Sequence, residues 1–196
     1  MEDRDIIERV LGGDNDAFSL LVEKYQTKVY NLALRMSGNE DDAFDLAQDS
    51  FVRAWRNLGS FQFESSFSTW LFRLTSNICL DFLRAKKRRA AVSLTVTDEE
   101  DEESQLAVPD PGKTPEEAVI AAEDRALLTR ALNELPADQR QILTLRAIDD
   151  LSYAEIAEIL HLQEGTVKSR LSRARTALRN KLLQIGNKSK TVSSVR

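Results

Sequence analysis

Residues 151–182, LSYAEIAEILHLQEGTVKSRLSRARTALRNKL, constrain the fold more than any other stretch of the chain. Ser152 and Glu155 stand in the S-x-x-E spacing of a capping box, in which hydroxyl and carboxylate each satisfy a free amide of the first helical turn. Ile156, Ile159 and Leu160 then share one helical face, and Ala157 leaves room for a second helix to cross closely. Beyond the turn, Val167, Leu171 and Leu178 repeat at helical spacing and are assigned inward. Lys168, Ser169, Ser172, Arg173 and Arg175 are left to face outward. Two helices at a tight turn, the second with a basic face, read as a helix-turn-helix, which presents its second helix to the DNA major groove. A merely solvated cationic face would explain the charges, but not the cap, the turn and the spacing together. His161 stands where such turns often carry glycine. Histidine tolerates left-handed backbone better than most residues, so it is read as a turn residue, not as a ligand or catalyst.

A net charge of −5 looks wrong for a DNA binder until it is divided along the 196 residues. Residues 1–89 carry 13 basic and 14 acidic side chains, residues 90–118 one and nine, and residues 119–196 thirteen and nine. From His161 onward nine cations face Glu164 alone. The average hides a basic end and an acidic middle, and the local footprint decides nucleic-acid binding. The single cysteine, Cys79, excludes an internal disulfide and fits a reducing cytosol. Its neighbours Leu74, Ile78 and Phe82 favour a buried structural thiol over a redox sensor. No apolar run approaches a membrane span, and the acidic start MEDRDIIERV is unlike a secretory signal, so a cytoplasmic chain without membrane insertion is expected.

The rest of the chain reads as helix almost throughout, with no convincing strand. Residues 2–11 form a short helix with Ile6, Ile7, Val10 and Leu11 inward. Asp14 is placed as the cap of a helix to about Met36, with core face Phe18, Leu21, Tyr25, Val29, Leu32 and Ala33, stopped by Gly38. Asn39 caps a third helix to Asn57, whose first turn holds Glu40, Asp41 and Asp42 at the positive end of the helix dipole. Its buried side is assigned to Phe44, Ala47, Phe51, Val52 and Trp55. A loop, GSFQFESSF, precedes a helix from about Ser68 to Arg89. Thr114, Pro115 and Glu117 restart helix with a cap, an N1 proline and a capping-box acid. Helices over 115–135, 137–148, 152–160 and 164–185 follow. The fold class is therefore all-α, in two helical domains, 1–89 and 115–186. A flexible acidic linker, 90–114, joins them, and a disordered tail, 187–196, follows the second.

Two blocks carry a family resemblance: DAFDLAQDSFVRAW with FSTWLFRLTSNICLDFLR, and LPADQRQILTLRAIDDLSYAEIAEILHLQEGTVKSRLSRARTALR. They resemble domains 2 and 4 of bacterial RNA polymerase sigma factors of the extracytoplasmic-function type, in the sigma-70 family. The resemblance implies a subunit that binds core RNA polymerase, directs it to promoters and assists DNA melting, with no catalysis of its own. It implies that the second block reads the minus-35 element, with Lys168, Ser169, Ser172 and Arg173 towards bases and Thr166, Arg170 and Arg175 nearer phosphates. It implies that the first block reads and opens the minus-10 element. There Phe61, Gln62, Phe63, Phe67 and Trp70 would hold extruded bases, and Arg73, Asn77, Arg84, Lys87 and Arg88 would follow the strand. Base stacking on an aromatic contributes about 1–3 kcal/mol, comparable with the few kcal/mol that extrusion costs. Phe67 and Trp70 also fit an ordinary core, and both readings stand at this point. Asp45, Leu46, Gln48, Asp49, Phe51 and Trp55 correspond to the polymerase-docking region, the apolar ones being equally compatible with the interior. The partners so implied are core RNA polymerase, promoter DNA in duplex and single-stranded form, and an anti-sigma protein. In holoenzyme the chain would lie on the nucleoid. The acidic run Asp98–Glu103 would either repel nascent RNA or serve as a plain spacer.

Other classes account for less. A stand-alone DNA-binding regulator explains the C-terminal block but not the aromatic loop or the docking helix. One histidine, one cysteine, no Gly-rich phosphate loop and no metal-ligand cluster give an enzyme no reaction to rest on. No catalytic residue, metal or cofactor is expected. A helical interaction scaffold is the generic remainder.

Overall fold

The structure, a computed structural model, describes residues 1–93, 115–147 and 151–193, with side chains described over 1–90, 124–147 and 151–187. Eight α-helices and no strand occur among the described residues: α1 Asp3–Leu11, α2 Phe18–Ser37, α3 Glu40–Asn57, α4 Phe67–Ser93, α5 Pro115–Asn133, α6 Ala137–Arg146, α7 Tyr153–Leu160 and α8 Glu164–Ser193. The expected cap Thr114 and the acidic run lie outside the described residues.

Local chemistry explains most of the boundaries. Gly38 ends α2 at φ 75°, a left-handed backbone that glycine adopts without strain, and its amide donates to the Leu34 carbonyl at 2.8 Å. Asn39 caps α3 by accepting from the Asp42 amide at 2.9 Å. Asp14 does not cap α2. A 3-10 turn, Asn15–Ala17, intervenes, and the Asp14 carboxylate is taken by the Arg9 guanidinium at 2.7 Å, which holds its pKa below the usual range. Ser66 caps α4 one residue earlier than the spacing suggests, its Oγ accepting from the Thr69 amide at 3.1 Å. α8 runs to Ser193, through much of the stretch expected as a disordered tail. Past its first turn α8 contains one glycine, Gly186, and no proline follows, and one glycine in a helix costs only about 1 kcal/mol.

The first four helices enclose Leu21, Val29, Leu32, Met36, Leu58, Leu71, Phe72 and Cys79. Burial pushes the Cys79 thiol up to about 12, as befits a structural side chain. The expected buried side of α3 is wrong by about one position. Ala43, Leu46, Ala47, Ser50 and Ala54 point inward, whereas Phe44, Val52 and Trp55 are exposed at 65%, 40% and 37% and Phe51 is half-buried. Small residues one turn apart let α3 lie close against α2, where aromatic rings would hold the helices apart. Leu11 likewise turns outward.

The two blocks share a seam instead of hanging only from a strap. α6 lies against α2 and α4, α7 lies against α4, and the apolar core is continuous across them. Buried Arg140 of α6 donates to the Met36 carbonyl at 2.7 Å and the Asn133 carbonyl at 2.5 Å. Those are end-of-helix carbonyls of α2 and α5, so one cation satisfies two helix C-termini. Arg35 returns the arrangement by donating to the Ala147 carbonyl at 3.0 Å, at the end of α6. Gln141 Nε2 donates to Ser76 Oγ at 2.6 Å, also buried. A Cβ at Gly38 would also lie 2.4 Å from the Asn133 amide group, which would have to turn aside.

Candidate nucleic-acid interface

The α7–turn–α8 unit forms as its sequence dictates. Ser152 Oγ accepts from the Glu155 amide at 3.2 Å while Glu155 Oε2 accepts from the Ser152 amide at 2.8 Å. His161 occupies the left-handed region at φ 52°, and the following Leu162 amide closes on the Ala157 carbonyl at 2.8 Å. Val167, Leu171 and Ala174 are buried and Leu178 is half-buried, which fixes the rotation of α8. The opposite face is then forced outward: Lys168, Ser169, Arg170, Ser172, Arg173 and Arg175 are exposed and Thr166 is half-buried. Among the described residues Arg170, Arg173 and Arg175 form no ion pair, and Arg173 Nε donates to the Ser169 carbonyl at 3.4 Å. Lys168 is oriented by the Tyr153 ring, 5.6 Å below its ammonium, and by Glu164 at 3.9 Å. Arg146 reaches the same ring at 5.4 Å. Tyr153 and Arg146 were missed by the pattern, whose only hint was an aromatic in the first turn of α7.

A second surface forms where α3 and α4 diverge. Four aromatics, Phe61 and Phe63 of the intervening loop and Phe67 and Trp70 of the first turn of α4, divide into two layers. Phe61 and Phe67 are buried, with centroids 5.9 Å apart, and Phe67 continues inward to Tyr25 at 5.6 Å. Phe63 and Trp70 are half-buried above them, 4.9 Å and 5.3 Å from Phe61. Phe61 and Phe67 thus form a closed floor, while the upper pair keeps part of its surface accessible. Phe63 has φ 57°. Left-handed backbone costs a bulky residue about 1–2 kcal/mol, so the surroundings hold this loop in shape. Gln62 and Glu64, on either side, are exposed.

Beside the loop, α3 and α4 border a cleft of ≈ 320 Å³ whose wall includes Trp70, Leu74 and Ile78 and whose rim includes Arg53, Asn57, Arg73, Asn77 and Asp81. An apolar wall with a few convergent polar groups suits a planar, polar-edged ligand. The loop pattern indicated Trp70, Arg73 and Asn77. Arg53, Asn57 and Asp81 join them only through the crossing of the two helices. Arg84, Lys87 and Arg88 continue the cationic track along exposed α4.

On the outer side of α3 the exposed Phe44, Gln48, Val52 and Trp55 follow helical spacing, flanked by exposed Asp45 and half-buried Asp49 and Phe51. Trp55 is braced edge-on by Phe18 at 5.0 Å. Leu46 belongs to the core at 7% exposure and is unavailable to a docking partner. Among the described residues no helix is long and apolar enough to cross a membrane, and no group of acidic, histidine and cysteine side chains could hold a metal ion.

Comparison with known proteins places both surfaces in a family context. Residues 21–89 match the family model "Sigma-70 region 2" and residues 125–178 match "Sigma-70, region 4". The ECF RNA polymerase sigma factor SigW of Bacillus subtilis is 39% identical, over 90% of this chain and 94% of that protein. The RNA polymerase sigma-H factor of Pseudomonas aeruginosa is 41% identical, over 93% and 94%. Among solved structures, the sigma factor RpoE in complex with the anti-sigma factor NepR, from Bartonella quintana, superposes with TM-score 0.66 at 30% identity. That match covers 86% of this chain and 97% of that one. CnrH in complex with the cytosolic domain of CnrY superposes with TM-score 0.65 at 26% identity, covering 92% and 96%.

Proposed function

The chain belongs to the sigma-70 family as an RNA polymerase sigma factor of the extracytoplasmic-function type, and from that premise we propose how its two surfaces divide the work of initiation. Its function is that of an alternative sigma factor, directing RNA polymerase to promoters. Residues 115–186 act as the upstream reader. Lys168, Ser169, Ser172 and Arg173 meet base edges of the minus-35 element in the major groove, and Thr166, Arg170 and Arg175 meet phosphates. A good base contact is worth about 1–3 kcal/mol of discrimination, whereas phosphate contacts add affinity without sequence information.

Residues 1–89 act as the downstream reader and hold the melted strand. Phe63 and Trp70 supply stacking faces supported by the Phe61–Phe67 floor, and Gln62 offers its amide to a base edge. Arg73 and Asn77 border the cleft for an extruded nucleotide, and Arg84, Lys87 and Arg88 track the backbone. Core polymerase docks on the outer face of α3 through Asp45, Gln48, Asp49, Phe51 and Trp55, joined by Phe44 and Val52. Leu46 contributes by holding that helix in place.

The observation that carries this reading is the pairing of unlike chemistries on one chain: exposed cations along one helix face and a two-layered aromatic cluster beside a cleft. A partner resembling the anti-sigma factor NepR bound to the RpoE relative would regulate it, in a cytoplasmic setting with nucleoid association in holoenzyme. Run-off transcription with purified core polymerase over a randomised promoter library tests the reading. Selected templates should share a two-part motif; a selection indistinguishable from core polymerase alone would refute it.

A further inference from the structure

The strained loop is held from outside itself. α1 carries Arg4 on its exposed face, with the guanidinium carbon 4.8 Å from the centroid of the Phe63 ring. Glu8 orients that guanidinium, accepting from Nε at 3.2 Å one turn along the helix. α1 is itself a fixed platform. Ile6, Ile7 and Val10 are buried, and the Asp3 carboxylate accepts from the Tyr25 hydroxyl and the Lys24 ammonium of α2, each at 2.5 Å. Phe63 is therefore clamped between a cation on a rigid helix and the Phe61 ring at 4.9 Å, in a backbone region that a phenylalanine rarely adopts. Turning the chain left-handed at residue 63 leaves Gln62 and Glu64 exposed on both sides of the clamped ring.

We infer that Arg4 is a positioning residue for downstream promoter reading: by pinning Phe63 it fixes how Gln62 and Glu64 are presented to the melted strand. Arg4 touches no base in this account; it acts through the ring. Its loss lets the loop relax towards ordinary backbone, so the polar edges lose their register and base preference flattens. Binding strength falls less than preference does, because the cations of α4 remain in place. A cation–π contact at an exposed site sets the scale, a two- to fivefold effect.

This rests on the reading of the loop given above, and a double-mutant cycle separates the two. Full-length Arg4→Ala, Arg4→Lys, Phe63→Ala and the Arg4→Ala/Phe63→Ala pair are assembled with core polymerase. Each is then scored on two template sets, one randomised only in the downstream element and one only in the upstream element. Arg4→Ala should reduce the ratio of preferred to disfavoured bases about two- to fivefold, with the upstream preference unchanged, and Arg4→Lys should restore most of it. The double variant should be no worse than Phe63→Ala alone. Losses that multiply would mean Arg4 contacts DNA by itself, and an unchanged profile for Arg4→Ala would mean it does nothing to reading; either overturns the inference while leaving the loop's role intact. An unchanged profile for Phe63→Ala would sink the inference and the loop reading together.

Discussion

The recognition face of α8 and the aromatic loop before α4 present ligand chemistry in opposite ways. On α8 the helical period separates duties completely: Val167, Leu171 and Ala174 are buried, and every cation assigned to DNA is exposed. In the loop and the first turn of α4, aromatic side chains do both jobs. Phe61 and Phe67 are core, Phe63 and Trp70 are surface, and the boundary runs through rings about 5–6 Å apart. A side chain on α8 can therefore be changed with little effect on the fold, whereas a change in the loop tests stability and reading at once.

Truncating the floor should produce the largest effect. Phe67→Ala removes a ring at 3% exposure that touches Tyr25, Phe61 and Trp70, and should cost about 3–5 kcal/mol of stability. Phe63→Ala should cost less, about 1 kcal/mol, because the ring is only half-buried and alanine, which keeps its Cβ, leaves the backbone strain at φ 57° as it was. Urea unfolding of the two variants checks this, and equal losses would erase the distinction between floor and surface.

Alkaline pH should sharpen the contrast next. Burial raises the Cys79 thiol from 9.0 to about 12, and burial together with the Asp3 carboxylate raises the Tyr25 phenol above its usual range. Groups whose pKa is raised on folding favour the fold fully below their unfolded pKa. That contribution is lost as pH climbs through the folded value, here from about 9 towards 12. Unfolding followed over that window should show the four-helix core around Cys79 losing stability. Cys79→Ala should flatten part of the slope, and a slope unaltered by it would contradict the buried-thiol account.

The smallest effect belongs to Arg175, proposed above to meet phosphate. Arg175→Ala should lower the salt dependence of upstream duplex binding by the holoenzyme by about one unit of log–log slope, without altering which sequence is preferred. A changed preference would move Arg175 to the base-reading side.

How much of this was legible in the sequence follows the same contrast. The cap at Ser152, the left-handed His161 and the inward register of α8 are local matters and appear in the structure as read. α3 misled because it carries two apolar stripes. Hydrophobicity favours the one with Phe44, Val52 and Trp55, while close approach to α2 selects Ala43, Ala47, Ser50 and Ala54. The seam was invisible for a related reason. Arg140 and Gln141 look like ordinary polar surface, and only the carbonyls of Met36 and Asn133 and the Ser76 hydroxyl make them interior. Arg53, Asn57 and Asp81 reach the cleft through a helix crossing that no linear spacing records.

The division between the two readers is tested most directly by selecting promoters in parallel with wild-type, Arg173→Ala and Trp70→Ala holoenzymes from a library randomised across both elements. Arg173→Ala should blur only the upstream half of the motif and Trp70→Ala only the downstream half. If either substitution blurred both halves to the same degree, the two surfaces would not be separate readers and the account would fail.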